Sequence, residues 1–109
     1  MADHNAMLLA WSSPVDEASA EEFHQWYEGT HVPEVREAVP GIVDVRRYAI
    51  NDLTSDGKPA TRFLAIYEIT TDDLAASAAA LGAAAGRFTP TQTMDYAGEP
   101  PVLQWYDAR

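Results

Sequence analysis

Two histidines and a tyrosine in one predicted helix are of the residue types that move protons. His31 follows Tyr27 by four residues and His24 by seven, so an unbroken helix would place all three along one stripe. An imidazole with an ordinary pKa of about 6.5 both takes and gives a proton at neutral pH. A phenol donates a hydrogen bond to a substrate oxygen. His31 is therefore the candidate general base or acid, with Tyr27 and His24 as its candidate partners.

Each of these three residues also has a structural interpretation. His31 could instead hydrogen-bond a carbonyl that Pro33 leaves without a donor. Tyr27 could be a core aromatic residue with its hydroxyl at the rim, and His24 could be a solvated helix residue. The sequence favours the functional interpretation for His31 and the structural one for Tyr27 and His24.

Aromatic and charged residues on the predicted strands supply candidate substrate-binding side chains. Alternation along the strand predicted at residues 42 to 50 puts Asp44, Arg46 and Tyr48 on one face. If they are buried, Asp44 and Arg46 must pair, either with each other or with a substrate carboxylate or phenolate. Further aromatic candidates suit a planar, apolar substrate, although such residues are often simply core: Trp11, Tyr67, Tyr96 and Trp105.

Four short apolar or β-branched runs predict the strands. These runs are residues 6 to 12, 42 to 50, 62 to 70 and 102 to 107, and an Asp56-Gly57 turn signal joins the second and third in a hairpin. The threonine-, proline- and glycine-rich residues 89 to 101 predict a loop, with a lid or a dimer arm as its candidate roles. The sequence thus contains the strands of one small sheet.

Two helices are predicted between these strands. Ser19 with Glu22 forms a capping-box pattern that starts the first helix near Ala20. Gly29 and Pro33 predict a kink or a restart at Thr30, which would cap a second segment that Pro40 and Gly41 end. Residues 71 to 73 are an acidic helix start, and the alanine-rich residues after them predict a second helix that ends near residue 86.

The resulting order, strand, helix, strand, strand, helix, strand, predicts an α+β fold. It is the ferredoxin-like βαββαβ arrangement, a four-stranded antiparallel sheet with two helices on one face. The helices cover a single face, yet the predicted strands carry bulky apolar residues on both faces. We therefore expect a homodimer in which two sheets pack against each other.

The string EFHQWYEGTHVPEV, followed by PGIVDVRRY, resembles the dimeric α+β barrel superfamily and, within it, the EthD-like group named after ethyl tert-butyl ether degradation. The resemblance implies a sheet-to-sheet dimer with a pocket between the sheet and its helices or loops. It also implies that His31 occupies the position where relatives carry a pocket histidine. Cofactor-free monooxygenases, polyketide cyclases, lactone isomerases and stress-induced proteins share this fold, so the fold alone does not select a reaction.

Composition excludes several classes of function. The 109 residues suffice for one domain, residues 1–109, and the formal charge of -10 disfavours nucleic-acid binding. The absence of cysteine rules out thiol chemistry, and no compact metal-ligand or glycine-rich nucleotide motif occurs, so we expect no metal and no cofactor. No targeting segment or membrane span is apparent, which makes a cytoplasmic location the expectation.

These observations favour a cofactor-independent enzyme that acts by general acid–base catalysis on a small aromatic or polyketide-like carbonyl compound. Cyclisation, isomerisation and elimination all fit such a site. One alternative is a cofactor-free monooxygenase that oxidises a phenolic substrate. The other is a non-catalytic dimer that binds a small molecule or serves in a stress response.

Overall fold

The elements of the chain follow the predicted order. A computed structural model describes residues 4–54 and 56–109. The elements are β1 (Ala6–Ser12), α1 (Ala20–Trp26), a π-helical turn (Tyr27–His31), α2 (Val32–Ala38), β2 (Ile42–Ala49), β3 (Phe63–Ile69), α3 (Leu74–Ala84), a 3₁₀ turn (Ala85–Arg87) and β4 (Val102–Asp107). The ferredoxin-like α+β prediction is confirmed.

The four strands form one antiparallel sheet in the order β2-β3-β1-β4. The predicted β2–β3 hairpin is present, and Asp56 and Gly57 in its loop both have positive φ, 55° and 79°. Two successive positive φ angles are what the Asp-Gly signal predicts. The two central strands, β3 and β1, carry most of the buried strand residues.

The two faces of the sheet differ in how they are covered. On the inner face, alternate residues of β1 and β3 are buried beneath the helices, with Leu8, Tyr67 and Ile69 at the centre of the core. The outer face carries the intervening side chains of all four strands, which are half-buried or exposed: Met7, Leu9, Trp11, Asp44, Arg46, Tyr48, Leu64, Ile66, Glu68, Val102, Gln104 and Tyr106. An apolar outer face thus lies uncovered in the single chain, as the sequence predicts.

The helix between β1 and β2 passes Pro33 without breaking. The expected restart at Thr30 is wrong, because the chain stays helical from α1 through the π-helical turn into α2; the irregularity expected from Gly29 and Pro33 takes the form of that turn. Val32 N–H donates to the carbonyl of Tyr27, five residues back, and Pro33 lies in the first turn of α2, where its missing donor costs little. The widened turn accommodates the proline, and Thr30 caps nothing.

The start of this helix also differs from the prediction. Ser19 is the N-cap, but its side chain makes no capping hydrogen bond, so the capping box with Glu22 is absent. Instead the Asp16 carboxylate accepts a hydrogen bond from the Ser19 N–H at 2.8 Å. The predicted acidic start of α3 is confirmed, because the Asp73 carboxylate accepts from the Ala76 N–H at 3.1 Å.

Residues 89–101 form a loop that is tied to the rest of the fold along its length. The Glu34 carboxylate accepts from the Thr89 N–H and hydroxyl, each at 3.0 Å. Val15 N–H donates to Thr93 O at 2.6 Å beside an isolated bridge between Pro14 and Met94. At the far end, the guanidinium of Arg62 donates to the carbonyls of Glu99 and Pro100. In the described parts of the chain, no helix is long and apolar enough to cross a membrane.

Substitution of Gly41 tests the steric constraint in the tight connection between α2 and β2. Its φ is +95°, and a Cβ there would clash with the carbonyl oxygen of Thr70, whose N–H donates to Gly41 O at 2.9 Å. We expect Gly41→Ala to lower the free energy of unfolding by about 1–3 kcal/mol.

Gly82 offers the matched control, because it lies within α3 with open space at its Cβ position. Gly82→Ala should raise the free energy of unfolding by about 0.5–1 kcal/mol, since alanine is the better helix former. Urea denaturation of both variants measures the contrast. An unchanged stability in Gly41→Ala would contradict the steric argument.

Candidate active site

A cavity of about 630 Å³ opens between the inner sheet face, α3, the loop of residues 89–101 and the long helix, which consists of α1, the π-helical turn and α2. Its walls are mainly apolar and include Leu8, Ala10, Trp26, Val35, Leu81, Ala85, Gly86, Phe88, Met94 and Leu103. Polar groups are few, and those able to move a proton are His31, Tyr27, Tyr67 and Tyr96. A mostly apolar concave site with a few polar side chains is the usual form of a small-molecule site.

His31 stands in this wall between aromatic rings. Its imidazole stacks on Trp26, with ring centroids 4.7 Å apart, and meets the rings of Tyr27 and Phe88 at their edges. Its Nδ1 is buried and has no hydrogen-bond partner among the described residues. Burial lowers the pKa of His31, Arg47 lowers it further, and the Glu34 carboxylate opposes this. The imidazole is therefore neutral at pH 7 and able to accept a proton.

Tyr27 and Tyr67 bring two phenols to the cavity next to His31. Tyr27 lies on the π-helical turn with its ring centroid 4.9 Å from that of His31, and Tyr67 lies on β3 at the centre of the inner face. Burial raises the pKa of both phenols, and interactions with Tyr67, Arg47 and Ser12 partly offset this rise for Tyr27. Both are therefore un-ionised hydrogen-bond donors at neutral pH. The Tyr67 hydroxyl is buried and lacks a well-formed hydrogen bond within the described chain.

Arg47 contacts the ring of Tyr27 but does not itself line the cavity. Its side chain is only 12% exposed, and its guanidinium carbon lies 4.2 Å from the centroid of the Tyr27 ring. Its Nη1 contacts the Glu28 carboxylate and the Nδ1 of His24, each at 2.9 Å. The guanidinium thus places a positive charge against the side of Tyr27, within the range of a cation–π interaction.

The sequence candidates divide into two groups. Those that line the cavity are His31, Tyr27, Tyr67 and Tyr96; Trp11 also borders it, but its side chain lies on the outer face, where its Nε1 donates to Gln104 Oε1 at 3.1 Å. His24 does not line it; its Nδ1 contacts Arg47 and its ring packs edge-on against Phe63 at 4.4 Å. The prediction that His24 shares one helix face with Tyr27 and His31 is therefore wrong, because the π-helical turn changes the angular spacing between His24 and His31.

Four strand candidates lie outside the cavity as well. Asp44, Arg46 and Tyr48 are on the outer sheet face, where Arg46 Nε donates to Asp44 Oδ2 at 3.1 Å and the pair stays half exposed. Trp105 packs against the core on the inner face but does not line the cavity. The polar face of β2 therefore carries a surface ion pair in this chain and does not line the cavity.

Arg47 is a site residue that sequence reasoning missed. The available signal was its place on β2, since alternation puts it on the same face as Val45, and a charged residue on a helix-covered face must find partners. The stacking of Trp26 on His31 was also missed. These residues are five apart, a spacing that brings side chains together in a π-helical turn but not in a regular α-helix.

No ready-made metal centre accompanies this site. Within residues 4–54 and 56–109, no three His, Asp or Glu side chains are grouped so that they could hold a metal ion. The chemistry available from the cavity's own side chains is proton transfer by one imidazole and hydrogen bonding by phenols.

Two solved structures share this fold. The chain is similar to an ethyl tert-butyl ether degradation (EthD) family protein from Bacillus halodurans, with 18% identity, a TM-score of 0.53 and coverage of 95% of this chain and 99% of that one. It is also similar to a monooxygenase from the gene ActVA-Orf6 of Streptomyces coelicolor, solved with nanaomycin D, with 16% identity, a TM-score of 0.51 and coverage of 98% and 89%.

No protein-family model and no curated protein sequence matches the chain. Both solved structures share the α+β fold of this chain, and one of them is described as an EthD family protein, so the resemblance seen in the sequence is confirmed for the fold. At these identities the likeness shows the fold alone. The reaction has to be argued from the cavity.

The lowered pKa of His31 makes stability depend on pH. The unfolded chain protonates this imidazole near its ordinary pKa of 6.5, whereas the folded chain protonates it only at lower pH. Acidification from about pH 7.5 to about pH 5.5 should therefore lower the free energy of unfolding, because the unfolded state binds more protons there.

We expect His31→Gln to lose less stability than wild type over this interval. His24, whose pKa is also lowered, first by burial and then by Arg47, accounts for part of the loss that remains. Urea unfolding at both pH values measures the difference. An equal loss in wild type and His31→Gln would show that the folded protein protonates His31 as readily as the unfolded chain.

Proposed function

We propose that this protein is a cofactor-independent enzyme in which His31 removes a proton from a small aromatic or polyketide-like carbonyl compound bound in the cavity. The observation that carries the proposal is the state of His31: a half-buried imidazole whose Nδ1 is buried and unpartnered among the described residues, held by stacking on Trp26 at the wall of an apolar cavity. A base must be neutral before it can accept a proton, and burial supplies that condition.

The shape and lining of the cavity support the substrate class. A volume of about 630 Å³ lies within the usual range for small-molecule pockets, and the walls include the rings of Trp26, Tyr27, Phe88 and Tyr96. Aromatic walls favour a flat ring system by stacking and by edge contacts. Because the lining has few polar groups, a largely apolar ligand with few oxygen atoms matches it best.

Tyr27 supplies the second half of the proposed chemistry. Its ring meets that of His31 at its edge, so a substrate that reaches the imidazole also lies near the phenol. Removing a proton next to a carbonyl builds negative charge on the carbonyl oxygen, and a hydrogen bond or a proton from Tyr27 stabilises that charge. Cyclisation, isomerisation and elimination all begin with this step.

We expect His31→Gln to bind substrate and to lose at least about 100-fold in kcat, because the amide fills the space but does not act as a base. His4→Gln is the matched control, since His4 pairs with Glu68 away from the cavity. A thermal-shift screen of phenolic and polyketide-type compounds first identifies ligands, and mass spectrometry then follows their conversion. Equal turnover in wild type and His31→Gln would refute His31 as the base. Tight binding without conversion would favour the non-catalytic alternative.

Monooxygenation of a phenolic substrate is the second candidate. The observation that favours it is the shared fold with the ActVA-Orf6 monooxygenase, a protein solved with a small-molecule ligand. The first step is the same, since His31 would deprotonate the phenol before the anion reacts with oxygen. An oxygen electrode separates the two candidates, because only the oxygenase consumes oxygen in proportion to product.

We also propose that two copies of the chain dimerise through the outer sheet face. Half-buried Leu9, Leu64 and Ile66 lie at its centre, and the part of each side chain left in water forfeits a share of the roughly 1.5–3 kcal/mol that full burial provides. Ile66→Glu should give monomers in sedimentation velocity, because the carboxylate would be buried without a partner. Leu53→Glu, the same kind of change at an 88%-exposed loop position, should leave the mass unchanged. A dimer that survives Ile66→Glu would place the interface elsewhere.

A further inference from the structure

We propose that Arg47 is a positioning residue for the proton transfer, holding one buried positive charge where it favours release of the Tyr27 proton and keeps His31 free to accept one. This inference rests on the proposed acid–base function. It adds a residue that touches neither the cavity nor the substrate, since Arg47 is absent from the cavity lining.

The aromatic surroundings of the guanidinium carry the first step of the argument. Its central carbon lies 4.2 Å from the centroid of the Tyr27 ring and 5.7 Å from those of Phe23 and Phe63. A cation within about 6 Å of a ring is attracted to its face, and the attraction is larger where water is excluded. The charge therefore acts on Tyr27 through surroundings of low polarity, where solvent screens it little.

The hydrogen bonds of Arg47 carry the second step. Nη1 contacts Glu28 and His24, whereas Nε and Nη2 are buried without a partner in the described parts of the chain. The Glu28 side chain is 62% exposed, so water screens its carboxylate. Burying a guanidinium that has two nitrogens without hydrogen-bond partners destabilises the folded state. A fold under no other constraint would point this side chain outward.

The third step is the effect of this charge on the two proton-moving groups. A positive charge beside Tyr27 favours its phenolate over its phenol, and the same charge disfavours the imidazolium form of His31. Accordingly, Arg47 lowers the pKa of both groups. The other groups that act on them are Tyr67 and Ser12 at Tyr27, and Glu34 at His31. Of these, the Glu34 carboxylate opposes Arg47 at His31.

The proton balance shows where this charge helps. His31 takes one proton from the substrate and becomes an imidazolium, and Tyr27 gives one proton to the substrate oxygen and becomes a phenolate. The enzyme returns to its starting state when the imidazolium gives up its proton and the phenolate regains one, from product or from water. Arg47 stabilises the phenolate that exists between these two transfers.

Three variants test the inference through the titration of the His31 ring, followed by NMR. Arg47→Met removes the charge and keeps an apolar stem, and we expect it to shift the His31 titration to higher pH. Arg47→Lys keeps a charge and should restore most of the wild-type behaviour. Glu28→Gln breaks the ion pair but leaves the cation, so its titration should move to lower pH or stay in place.

A purely structural role for Arg47 predicts a different pattern. Breaking the Glu28 ion pair would then act like removing Arg47, so Glu28→Gln and Arg47→Met would shift the His31 titration in the same direction. That result, or an unshifted titration in Arg47→Met, would overturn the inference. Should Arg47→Met fail to fold, an upward shift in Glu28→Gln or in Arg47→Lys would overturn it in the same way.

The titration needs no substrate, so it separates this inference from the proposed function. If His31→Gln keeps full turnover while the titration shifts as expected, the proposed function fails and the electrostatic role of Arg47 stands. On a compound that wild type converts, Arg47→Met should lower kcat about tenfold or more with little change in KM, and Arg47→Lys should recover most of it.

Discussion

The site depends on one backbone hydrogen bond, from the Val32 N–H to the Tyr27 carbonyl. Pro33 has no N–H to give to the Gly29 carbonyl, so a regular α-helix cannot pass this point with all its bonds. The helix widens into a π-helical turn instead of breaking, and residues five apart come to lie side by side. That widening stacks His31 on Trp26 and sets its edge against Tyr27. Without it, the imidazole would have a different orientation and different neighbours.

The cavity exists because large and small residues are distributed unevenly around the inner sheet face. Aromatic rings from the long helix fill one side, with Phe23 and Tyr27 fully buried. The opposite wall comes from Leu81 of α3 and from Ala85 and Gly86 of the 3₁₀ turn that follows, where the two small residues leave space unfilled. The loop of residues 89–101 closes the remaining side and is pinned by Glu34 and Arg62.

Electrostatics then distinguish two groups of charged residues on β2. Asp44 and Arg46 bond to each other on the outer face, half in water, where such a pair contributes little to stability. Arg47, one residue further, lies on the inner face among aromatic rings, where its charge is weakly screened and acts on its neighbours. Alternation along a strand is the only difference between the two arginines. Two arginines at consecutive positions therefore lie in different surroundings.

The resemblance to EthD-like proteins pointed to His31 as a pocket residue, whereas Tyr27 was favoured as a core residue. The sequence by itself determined the order of elements, the two sheet faces and the hairpin turn at Asp56-Gly57. These follow from local rules, since strand alternation, turn preference and helix starts depend on residues close together in the chain. Only the tertiary structure decided that the helix widens before Pro33, that Trp26 stacks on His31 and that Arg47 packs against Tyr27. It also decided that five candidates lie outside the cavity: His24, Asp44, Arg46, Tyr48 and Trp105. The physical reason is that the cost of breaking, widening or continuing a helix at a proline depends on what its side chains pack against. Those partners lie on strands that are distant in the sequence, so the helix period alone does not reveal them.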